Sequence, residues 1–353
     1  MLTERDATET RTPESSLGKM PSSPDSSGAP SFGAVVIGRN EGKRLARCIR
    51  SLSGPALIVY VDSGSSDRSV AIAQDCGAEV VELDLTIPFT AARARNAGFA
   101  RAREICGGVR YIQFVDGDCE LDRDWTSCAT CFLESHPGVA AVCGRLRERH
   151  PENSIYNWLC DQEWDGPLGE VRSFAGNVMV RCEALAAMGG YRDEVIAAEE
   201  DELCVRLRAA NWTIYRLSND MALHDAAMTH FHQWWKRSVR CGYAFGQGAY
   251  LHGKNPERHF VWESQRARLW GIYLPLLCLL TGMLFHPIGW AAFLIYPLQV
   301  LRLVSRRRGP LVNRLLLAAF QVLGRFPEGL GQLNFTYDRL FRRRATLIEH
   351  KSI

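Results

Sequence analysis

Two aspartates flank a single glycine directly after an apolar run in the segment YIQFVDGDCEL, residues 111–121. The carboxylates of Asp116 and Asp118 are hard oxygen donors of the kind that Mg2+ and Mn2+ prefer. A divalent cation held there would neutralise the charge that develops on a phosphate-linked leaving group. Gly117 would let a ligand approach the backbone closely. A surface turn is the alternative interpretation, because Asp and Gly are both common turn residues.

A second acidic cluster lies in AEEDELCVRLRAANW, where four consecutive acids run from Glu199 to Glu202. Leu203, Val205 and Leu207 follow as an apolar stripe, so the acids open a predicted helix. Acidic side chains in a first turn complement the helix dipole, which accounts for one or two of them. Four crowded carboxylates also repel one another, and such crowding raises a carboxyl pKa toward that of a general base. A transferase that attacks an anomeric carbon with a hydroxyl group would need such a base.

The elements that must position these acids alternate in type along the chain. Short apolar runs typical of buried strands alternate with helical patterns from residue 33 onward. The predicted strands cover residues 33–38, 56–64, 78–83 and 111–118, and the predicted helices cover residues 41–52, 65–77 and 90–105. This alternation predicts an α/β fold, a parallel sheet with helices on both faces. Because ligands bind beyond the carboxyl ends of such strands, Asp62 and Asp116 are expected to share one site.

Composition narrows the classes of function. A hydrophobic share of 46% and a charged share of 23% are typical of a globular protein. A formal net charge of +3 on 353 residues gives no strong attraction for nucleic acid, so no nucleic-acid partner is expected. The sequence contains neither the G-x-G-x-x-G fingerprint after a strand nor the G-x-x-x-x-G-K-[ST] phosphate loop. A bound nucleotide would therefore depend on a metal ion and on side chains.

The twelve cysteines are spread along the chain without repeated spacings. Residues 1–31 are polar, rich in Ser and Pro, and lack an apolar signal segment, which predicts a disordered tail and reduced thiols in the cytosol. Cys128 and Cys131 form the one close pair, on a predicted helix. No second pair at zinc spacing follows, so we interpret both as packing residues rather than as a metal or redox pair.

The C-terminal region changes character and is nearly uncharged from Trp270 to Leu301. Its first apolar run, residues 270–285, has 16 residues and would span about 24 Å as a helix, short of a hydrocarbon core of about 30 Å. The second run, residues 290–301, is shorter still, and the breaker HPIG separates the two. We therefore predict a helical hairpin that dips into one leaflet. One continuous tilted span is the alternative.

Basic residues surround this apolar region. Arginines precede the first run and follow the second, which predicts that both ends lie on the cytosolic side of the membrane. The clusters RLVSRRRG and RLFRRRA flank apolar segments, so anionic lipid rather than nucleic acid is their expected partner. Residues 310–324 are predicted to lie along the membrane surface as an amphipathic helix.

A resemblance to a known family adds to this interpretation. From about residue 33 to 245 the chain resembles a family 2 glycosyltransferase with the GT-A fold. The segments that carry the resemblance are, in order, VVIGRNEGKRL, VYVDSGSSDRS, ARARNAGFARA, FVDGDCEL, FAGNVMVRCEAL, GGYRDE, EEDELCVRLR and LHDAAM. The later segments PEGLGQL and RATLIEHK are similar to membrane-associated bacterial members that build surface polysaccharides.

The resemblance implies a role for individual residues. Asp62 would contact the nucleotide base, Glu41 would lie near the ribose, and Arg95 would lie near the base or the phosphates. Asp116 and Asp118 match the D-x-D motif that holds Mn2+ or Mg2+, with Asp118 as the direct ligand and Asp116 on the metal or the ribose. His224 matches a histidine that reaches the metal or the diphosphate, and Glu200 matches the catalytic base, with Asp201 next to it as the rival.

Two segments depart from the family pattern. Ser63 stands where a second acid often follows the position of Asp62, which leaves the contacts to the base open. QWWKRS, residues 233–238, resembles the Gln-x-x-Arg-Trp motif of processive synthases only loosely, so a single addition is predicted. The alternative for this segment is an amphipathic helix with Trp234 and Trp235 packed or at an interface.

Together these features predict a GT-A domain over residues 32–265 and a membrane-associated helical region with a basic tail over residues 266–353. The expected enzyme is inverting and metal-dependent. It would act at the cytoplasmic face of the inner (plasma) membrane, moving a sugar from a nucleotide-sugar to a lipid-linked or other membrane-held acceptor in cell-surface polysaccharide synthesis. The alternatives are a retaining transferase or one directed to a polyprenyl phosphate, a catalytically silent membrane scaffold of the same fold, and a phosphotransferase.

Overall fold

A computed structural model of the protein describes residues 32–286 and 288–342. The predicted disordered tail, residues 1–31, lies outside the described residues. So do Pro287, in the predicted breaker, and the basic tail from residue 343 onward.

One mixed sheet forms the centre of the N-terminal domain. Its strands are β1 Phe32–Gly38, β2 Leu57–Asp62, β3 Glu79–Glu82, β4 Tyr111–Asp116, β5 Cys119–Leu121, β6 Val139–Glu148, β7 Gly169–Glu170, β8 Val178–Arg181 and β9 Thr213–His224. The strand order is β3-β2-β1-β4-β8-β6-β9-β5, and β7 pairs with β9. The strands from β3 to β4 are parallel, whereas β8 runs antiparallel to both β4 and β6. This confirms the predicted α/β fold: the sheet is mixed, with parallel strands from β3 to β4, and helices flank it.

Helices flank the sheet, and further helices follow the last strand up to residue 340. The α-helices are α1 Lys43–Ser51, α2 Ser69–Asp75, α3 Ala91–Ile105, α4 Trp125–Ser135, α5 Ile155–Glu163, α6 Cys182–Ala187, α7 Glu199–Ala209, α8 Phe231–His252, α9 Val261–Arg268, α10 Leu274–Leu284, α11 Ile295–Arg306, α12 Leu311–Leu323 and α13 Arg325–Leu340. Residues Pro151–Asn153 and Ile288–Leu294 are 3-10 helices, and Leu269–Tyr273 form a π-helical turn that joins α9 to α10.

The register of the sheet explains why Asp62 and Asp116, which are far apart in the sequence, lie at the same edge of the sheet. Gly38 of β1 pairs with Asp62 of β2, and Ile37 pairs with Asp116 of β4. Both aspartates therefore lie at the same carboxyl edge of the sheet, as the sequence predicted. Strand β1 separates them, and two strand spacings amount to about 10 Å.

Helix α3 packs directly on this sheet through Gly98. A Cβ atom at this position would overlap Val35 of β1 and would lie 2.9 Å from Cγ2 of Val61 in β2. We expect Gly98→Ala to lower the free energy of unfolding by about 1–3 kcal/mol, because overpacking outweighs the gain in helix propensity. Urea unfolding followed by tryptophan fluorescence measures this change.

The matched control for Gly98 is Gly108, where a new Cβ would have no atom within 4 Å. Gly108→Ala should leave the stability unchanged or raise it by up to about 1 kcal/mol, because alanine restricts the unfolded chain. Equal unfolding midpoints for the two variants would contradict the close packing of α3.

The C-terminal helices pack on the rest of the chain through α8. Helix α13 lies against α8 so closely that a Cβ at Gly242 of α8 would overlap the Glu328 backbone, and one at Gly331 of α13 would overlap the Val239 carbonyl. The Gln332 side chain donates a 2.7 Å hydrogen bond to the Gly242 carbonyl. Glycines thus bring the two helix backbones into direct contact.

The loop between α8 and α9 is tied to α7 by ionic contacts. His252 at the end of α8 lies 2.8 Å from the Glu202 carboxylate, and Glu257 in the loop forms ion pairs with Arg208 of α7 (2.8 Å) and Arg172 (2.5 Å). The helix that carries the acidic cluster is therefore joined to the segment from which α9 begins.

Two helical segments are long and apolar enough to cross a membrane, by length and composition only: Val261–Leu284 with 24 residues and Ile288–Arg306 with 19. Both exceed the apolar runs read from the sequence, so the predicted hairpin no longer follows from helix length. The two segments do form a hairpin, in which the Tyr296 hydroxyl donates a 2.9 Å hydrogen bond to the Trp270 carbonyl. How deeply the hairpin enters a bilayer stays a prediction.

The interpretation of the Cys128 and Cys131 pair as packing residues needs a correction. Cys131 is exposed and Cys128 is half-buried, because α4 turns only one side toward the sheet.

Candidate active site

The segment between β4 and β5 holds the two aspartates that the sequence singled out. The Gly117 N–H donates to the Ile37 carbonyl over 2.8 Å, and a Cβ at residue 117 would lie 3.2 Å from the same oxygen. Gly117 therefore permits close contact with the end of β1. The expected close approach of a ligand to the Gly117 backbone stays a prediction. Asp116 ends β4, and Asp118 immediately precedes β5.

Pairing of β5 with β9 brings His224 to Asp118. Cys119 is opposite His224 in the register, and Nε2 of His224 lies 3.0 Å from Oδ2 of Asp118. The Asp118 side chain is 1% exposed and that of His224 is 16% exposed. The Trp164 ring lies against the imidazole, with 4.7 Å between ring centroids. The structure thus brings together two of the three residues predicted to hold a metal.

The donor set of this pair fits a divalent cation. Two ligands at about 2.1 Å and at right angles around an octahedral ion are about 3.0 Å apart, which is the separation of the Asp118 and His224 atoms. Nδ1 of His224 is buried without a hydrogen-bond partner in the described part of the chain. Cys119 Sγ completes a group of atoms within 4.8 Å of one another. Burial raises the pKa of the Cys119 thiol well above its usual value, so this sulfur stays protonated and is a poor ligand for a hard cation.

Asp116 contacts a buried arginine instead. Its Oδ1 lies 3.2 Å from Nη2 of Arg95, and its side chain is 35% exposed. The same guanidinium forms ion pairs with Glu199 at 2.6 Å and with Glu200 at 3.0 Å. Arg95, on α3, therefore joins the end of β4 to the start of α7, and the predicted contact of Arg95 with the base or the phosphates stays a prediction.

The two candidates for the general base lie side by side in the first turn of α7. Burial, and after it the Glu199 carboxylate, raise the pKa of Glu200 to about 8, against the opposing effect of Arg95. Burial also raises the pKa of Asp201, to about 6, and a hydrogen bond with Ser173 opposes that rise. Glu200 faces the arginine that contacts Asp116, whereas Asp201 faces Ser173.

The loop that precedes β8 covers the contact between Asp116 and Arg95. A Cβ on Gly176 would lie 2.6 Å from Oδ2 of Asp116 and 2.8 Å from Nη2 of Arg95, so the loop backbone passes directly over the ion pair. Asn177 accepts a hydrogen bond from the Asp116 N–H, over 3.1 Å, and donates one to the Cys119 sulfur. These residues belong to the FAGN segment, whose position over the aspartates was not apparent from sequence reasoning.

Asp62 lies on the other side of β1 from Asp116, whereas Glu41 lies beside Gly117, where a Cβ would be 3.1 Å from Cγ of Glu41. Asp62 is buried, and its carboxylate accepts hydrogen bonds from the Tyr60 hydroxyl and from the N–H groups of Gly64 and Ser65, all between 2.8 and 2.9 Å. Glu41 forms an ion pair with Arg44 at 2.8 Å. The structure shows Asp62 ordering the loop after β2, and the predicted contacts of both acids with a nucleoside stay predictions.

Glu148 is a further residue that sequence reasoning missed. It is buried, and its carboxylate accepts hydrogen bonds from the N–H groups of His150 and Ala226, both over 3.1 Å. Ala226 comes two residues after His224, so Glu148 holds the chain in place directly after the candidate ligand. A single acid in a strand gives no sequence signal for this role.

The QWWKRS segment forms the start of α8. The Gln233 side chain accepts hydrogen bonds from the N–H groups of Thr229 and His230, each over 2.9 Å, and caps the helix. Trp234 is buried against Phe320 of α12. These contacts favour the packing interpretation of the segment.

Residues 34–188 match the family model described as Glycosyl transferase family 2. A mannosyltransferase, PcManGT from Pyrobaculum calidifontis, solved with GDP-Man and Mn2+, is 18% identical with a TM-score of 0.54, over 91% of this chain and 90% of that chain. That similarity shows a shared fold, the GT-A fold.

Two further solved structures are more distant. Residues 1–349 of S. aureus TarS, in complex with UDP, are 13% identical over 89% of this chain and 92% of that chain, with a TM-score of 0.47. A glucosyl-3-phosphoglycerate synthase from Mycobacterium tuberculosis, solved with Mn2+ and UDP, is 17% identical over 63% of this chain and 80% of that chain, with a TM-score of 0.44.

Proposed function

We propose that this chain, whose residues 34–188 match the family 2 glycosyltransferase model, is a nucleotide-sugar-dependent glycosyltransferase that transfers a sugar, with inversion, to a membrane-held acceptor. The acceptor is a lipid-linked sugar or another molecule anchored in the membrane, and the product belongs to cell-surface polysaccharide. The reaction takes place at the cytoplasmic face of the membrane, where nucleotide-sugars are made.

One observation carries the catalytic part of this proposal. A single buried guanidinium, that of Arg95, contacts both Asp116 of the D-x-D segment and Glu200 of the acidic cluster, at 3.2 and 3.0 Å. The residue expected to meet the donor and the residue expected to act on the acceptor are therefore held at one site. A silent scaffold would have no need for a buried network of this composition, since unpaired buried charge is costly.

Glu200 is the proposed general base. In the transfer step the acceptor hydroxyl oxygen forms a bond to the anomeric carbon, and its proton passes to the Glu200 carboxylate. The bond between the anomeric carbon and the diphosphate oxygen breaks, and its electron pair leaves with the nucleoside diphosphate. Attack from the side opposite to the leaving group inverts the anomeric centre. Asp201 stays the rival, because it is adjacent and its pKa is also raised.

Asp118 and His224 are the residues proposed to hold Mn2+ or Mg2+, with Asp116 beside them. The bound cation would stabilise the negative charge of the departing diphosphate. Asn177 and Gly176 keep Asp116 in place by a backbone hydrogen bond and by close contact. Asp62, with its carboxylate already oriented by Tyr60 and two backbone N–H groups, is proposed to bind the nucleobase.

The apolar C-terminal helices support a membrane-held acceptor. Large apolar side chains of α10 and α11 are exposed, among them Leu276, Met283, Leu298 and Leu301, all above one half. Arginines flank both ends of this hairpin, which favours a cytosolic location for the catalytic domain.

Incubation of the purified full-length protein with a panel of nucleotide-sugars tests the activity. We expect nucleoside diphosphate to be released from one donor when Mn2+ or Mg2+ and a membrane extract are present, and the release to stop in EDTA. Replacement of the extract by its water-soluble fraction should abolish transfer. Release that is equally fast with the soluble fraction would overturn the membrane-held acceptor, and no release from any donor would overturn the enzymatic proposal.

A further inference from the structure

Helix α13 has its polar and apolar residues on unexpected sides. The face packed against α8 and α9 is made of small and polar residues, namely Glu328, Gly329, Gly331 and Gln332, together with Phe335. The opposite face carries Leu330, Leu333, Tyr337 and Leu340, which are 43% to 73% exposed. We call these four residues the outer stripe. Their spacing places them on one side of the helix, the reverse of the pattern for a helix that faces water.

A groove with two arginines runs beside the outer stripe. A cavity of about 410 Å3 is lined by Arg268, Phe335, Thr336, Arg339 and Leu340. We call it the arginine groove. Nε of Arg268 donates to Gln332 over 2.9 Å, and the Arg339 guanidinium lies over the Tyr250 ring at 4.0 Å. Each guanidinium has five N–H donors, so these contacts leave donors for a phosphate group. None of the residues that line the groove is acidic.

From this surface we propose that α13 lies in the headgroup region of an anionic phospholipid bilayer. The outer stripe faces the acyl chains, and a lipid phosphate occupies the arginine groove. The proposal rests on the membrane association that forms part of the proposed function, and it adds a binding site for one class of lipid.

Two features favour a bilayer over a second copy of the chain. Gly329 of α13 packs on Gly271 in the π-helical turn, so the outer stripe continues the surface of the first segment that could cross a membrane. A two-fold dimer through the same surface would bring arginine toward arginine, since such an interface pairs identical patches. An anionic leaflet attracts basic residues at about 1 kcal/mol each, and apolar side chains beside them are stabilised by burial in its interior.

The first experiment measures the depth of the outer stripe. A genetically encoded solvatochromic amino acid is placed at one of three positions of the full chain: Leu333, Leu280 on α10, or Glu104 on the catalytic domain. Each variant is reconstituted in vesicles that contain phosphatidylglycerol. Leu333 and Leu280 are matched, at 50% and 53% exposed. We expect both probes to emit at shorter wavelength and to be quenched by spin-labelled acyl chains, and the probe at residue 104 to behave as in water.

The outcomes separate the two proposals. If the probe at residue 280 reports a lipid environment and the probe at residue 333 reports water, the inference about α13 is overturned, whereas membrane association stands. Both probes in water would overturn membrane association itself. A probe at residue 333 that is shielded from water but not quenched by the acyl chains would show a protein partner there and would also overturn the inference.

The second experiment tests the arginine groove. Native mass spectrometry of the detergent-solubilised chain counts bound lipid during titration with phosphatidylglycerol, phosphatidylcholine or inorganic phosphate. We expect phosphatidylglycerol to bind most tightly, and Arg268→Gln with Arg339→Gln to weaken it about 30-fold. Arg339→Gln alone, which removes the contact with the Tyr250 ring but no side-chain hydrogen bond among the described residues, should weaken it about fivefold.

The matched control removes two exposed arginines of the catalytic domain, Arg123→Gln with Arg147→Gln, and should leave lipid binding unchanged. Equal binding of both lipids, or an equal loss in this control, would overturn the proposed site. Displacement of phosphatidylglycerol by millimolar inorganic phosphate would assign the groove to free phosphate rather than to a lipid.

Discussion

Asp118→Asn should abolish cation-dependent turnover. The asparagine amide is a neutral and weak ligand, whereas a hard cation needs a charged oxygen. The substitution also removes the negative charge that lies 3.0 Å from Nε2 of His224. We expect turnover to fall by about three orders of magnitude or more, because removal of one group that stabilises developing charge costs at least about a hundredfold. Initial rates of nucleotide release at several Mn2+ concentrations measure the loss.

A second readout separates a lost ligand from a damaged fold. Mn2+ should strengthen binding of the nucleoside diphosphate to the unaltered protein and should have no such effect on Asp118→Asn, which calorimetric titration detects. Asp124→Asn is the control, because this exposed residue belongs to the same acidic stretch and its side chain does not cap α4. Near-normal activity of Asp118→Asn with the same Mn2+ requirement would return the D-x-D segment to its interpretation as a turn.

Glu200→Gln should lower turnover by about two to four orders of magnitude, the range for loss of a general base. Binding of the nucleotide-sugar should be almost unchanged, because the amide keeps the shape of the side chain. The pH dependence gives an independent test. Only the ionised carboxylate accepts a proton, and burial raises the pKa of Glu200 to about 8. The kcat/KM of the unaltered enzyme should therefore rise with pH until about pH 8 and then level off.

The neighbouring acid provides the decisive comparison. Asp201→Asn should keep most of the activity and the same rise toward pH 8, whereas Glu200→Gln should lose that rise together with the activity. The pKa of Asp201 is about 6, so a profile that levels off near pH 6 would favour Asp201. An inactive Asp201→Asn together with an active Glu200→Gln would assign the role of the base to Asp201.

The fold of the N-terminal half was accessible from the sequence, because strand and helix alternate there at short range. In a parallel sheet the carboxyl ends of β2 and β4 lie at the same edge, and Asp62 and Asp116 are the residues at those ends. The contact of Gly117 with the Ile37 carbonyl was not apparent from the sequence, since which atom approaches a glycine depends on the neighbouring strand. The link through Arg95 was also beyond the sequence, because α3 and α7 are about a hundred residues apart and only the packed structure brings them together.

The C-terminal half was harder to predict for a physical reason. Hydropathy locates apolar runs, but a helix continues into polar residues as long as its backbone hydrogen bonds are satisfied, so α9 begins well before Trp270. The burial of the polar face of α13 and the exposure of its apolar face were missed, because the periodicity of its sequence is that of any amphipathic helix. Which face is inside depends on Gly242, Gly329 and Gly331, which permit contact between backbones.

The ionic tie between α7 and the loop before α9 has a consequence for the choice of acceptor. His252 and Glu257 join the helix that carries Glu200 to the chain that enters the apolar hairpin. With the hairpin in a bilayer, the proposed base is then held at a set height above the lipid. The enzyme would act as a ruler: an acceptor hydroxyl on a tether of matching length reaches Glu200, and one on a shorter or much longer tether meets it less often. Selection among acceptors would then depend on distance from the membrane as well as on the sugar at the end of the tether.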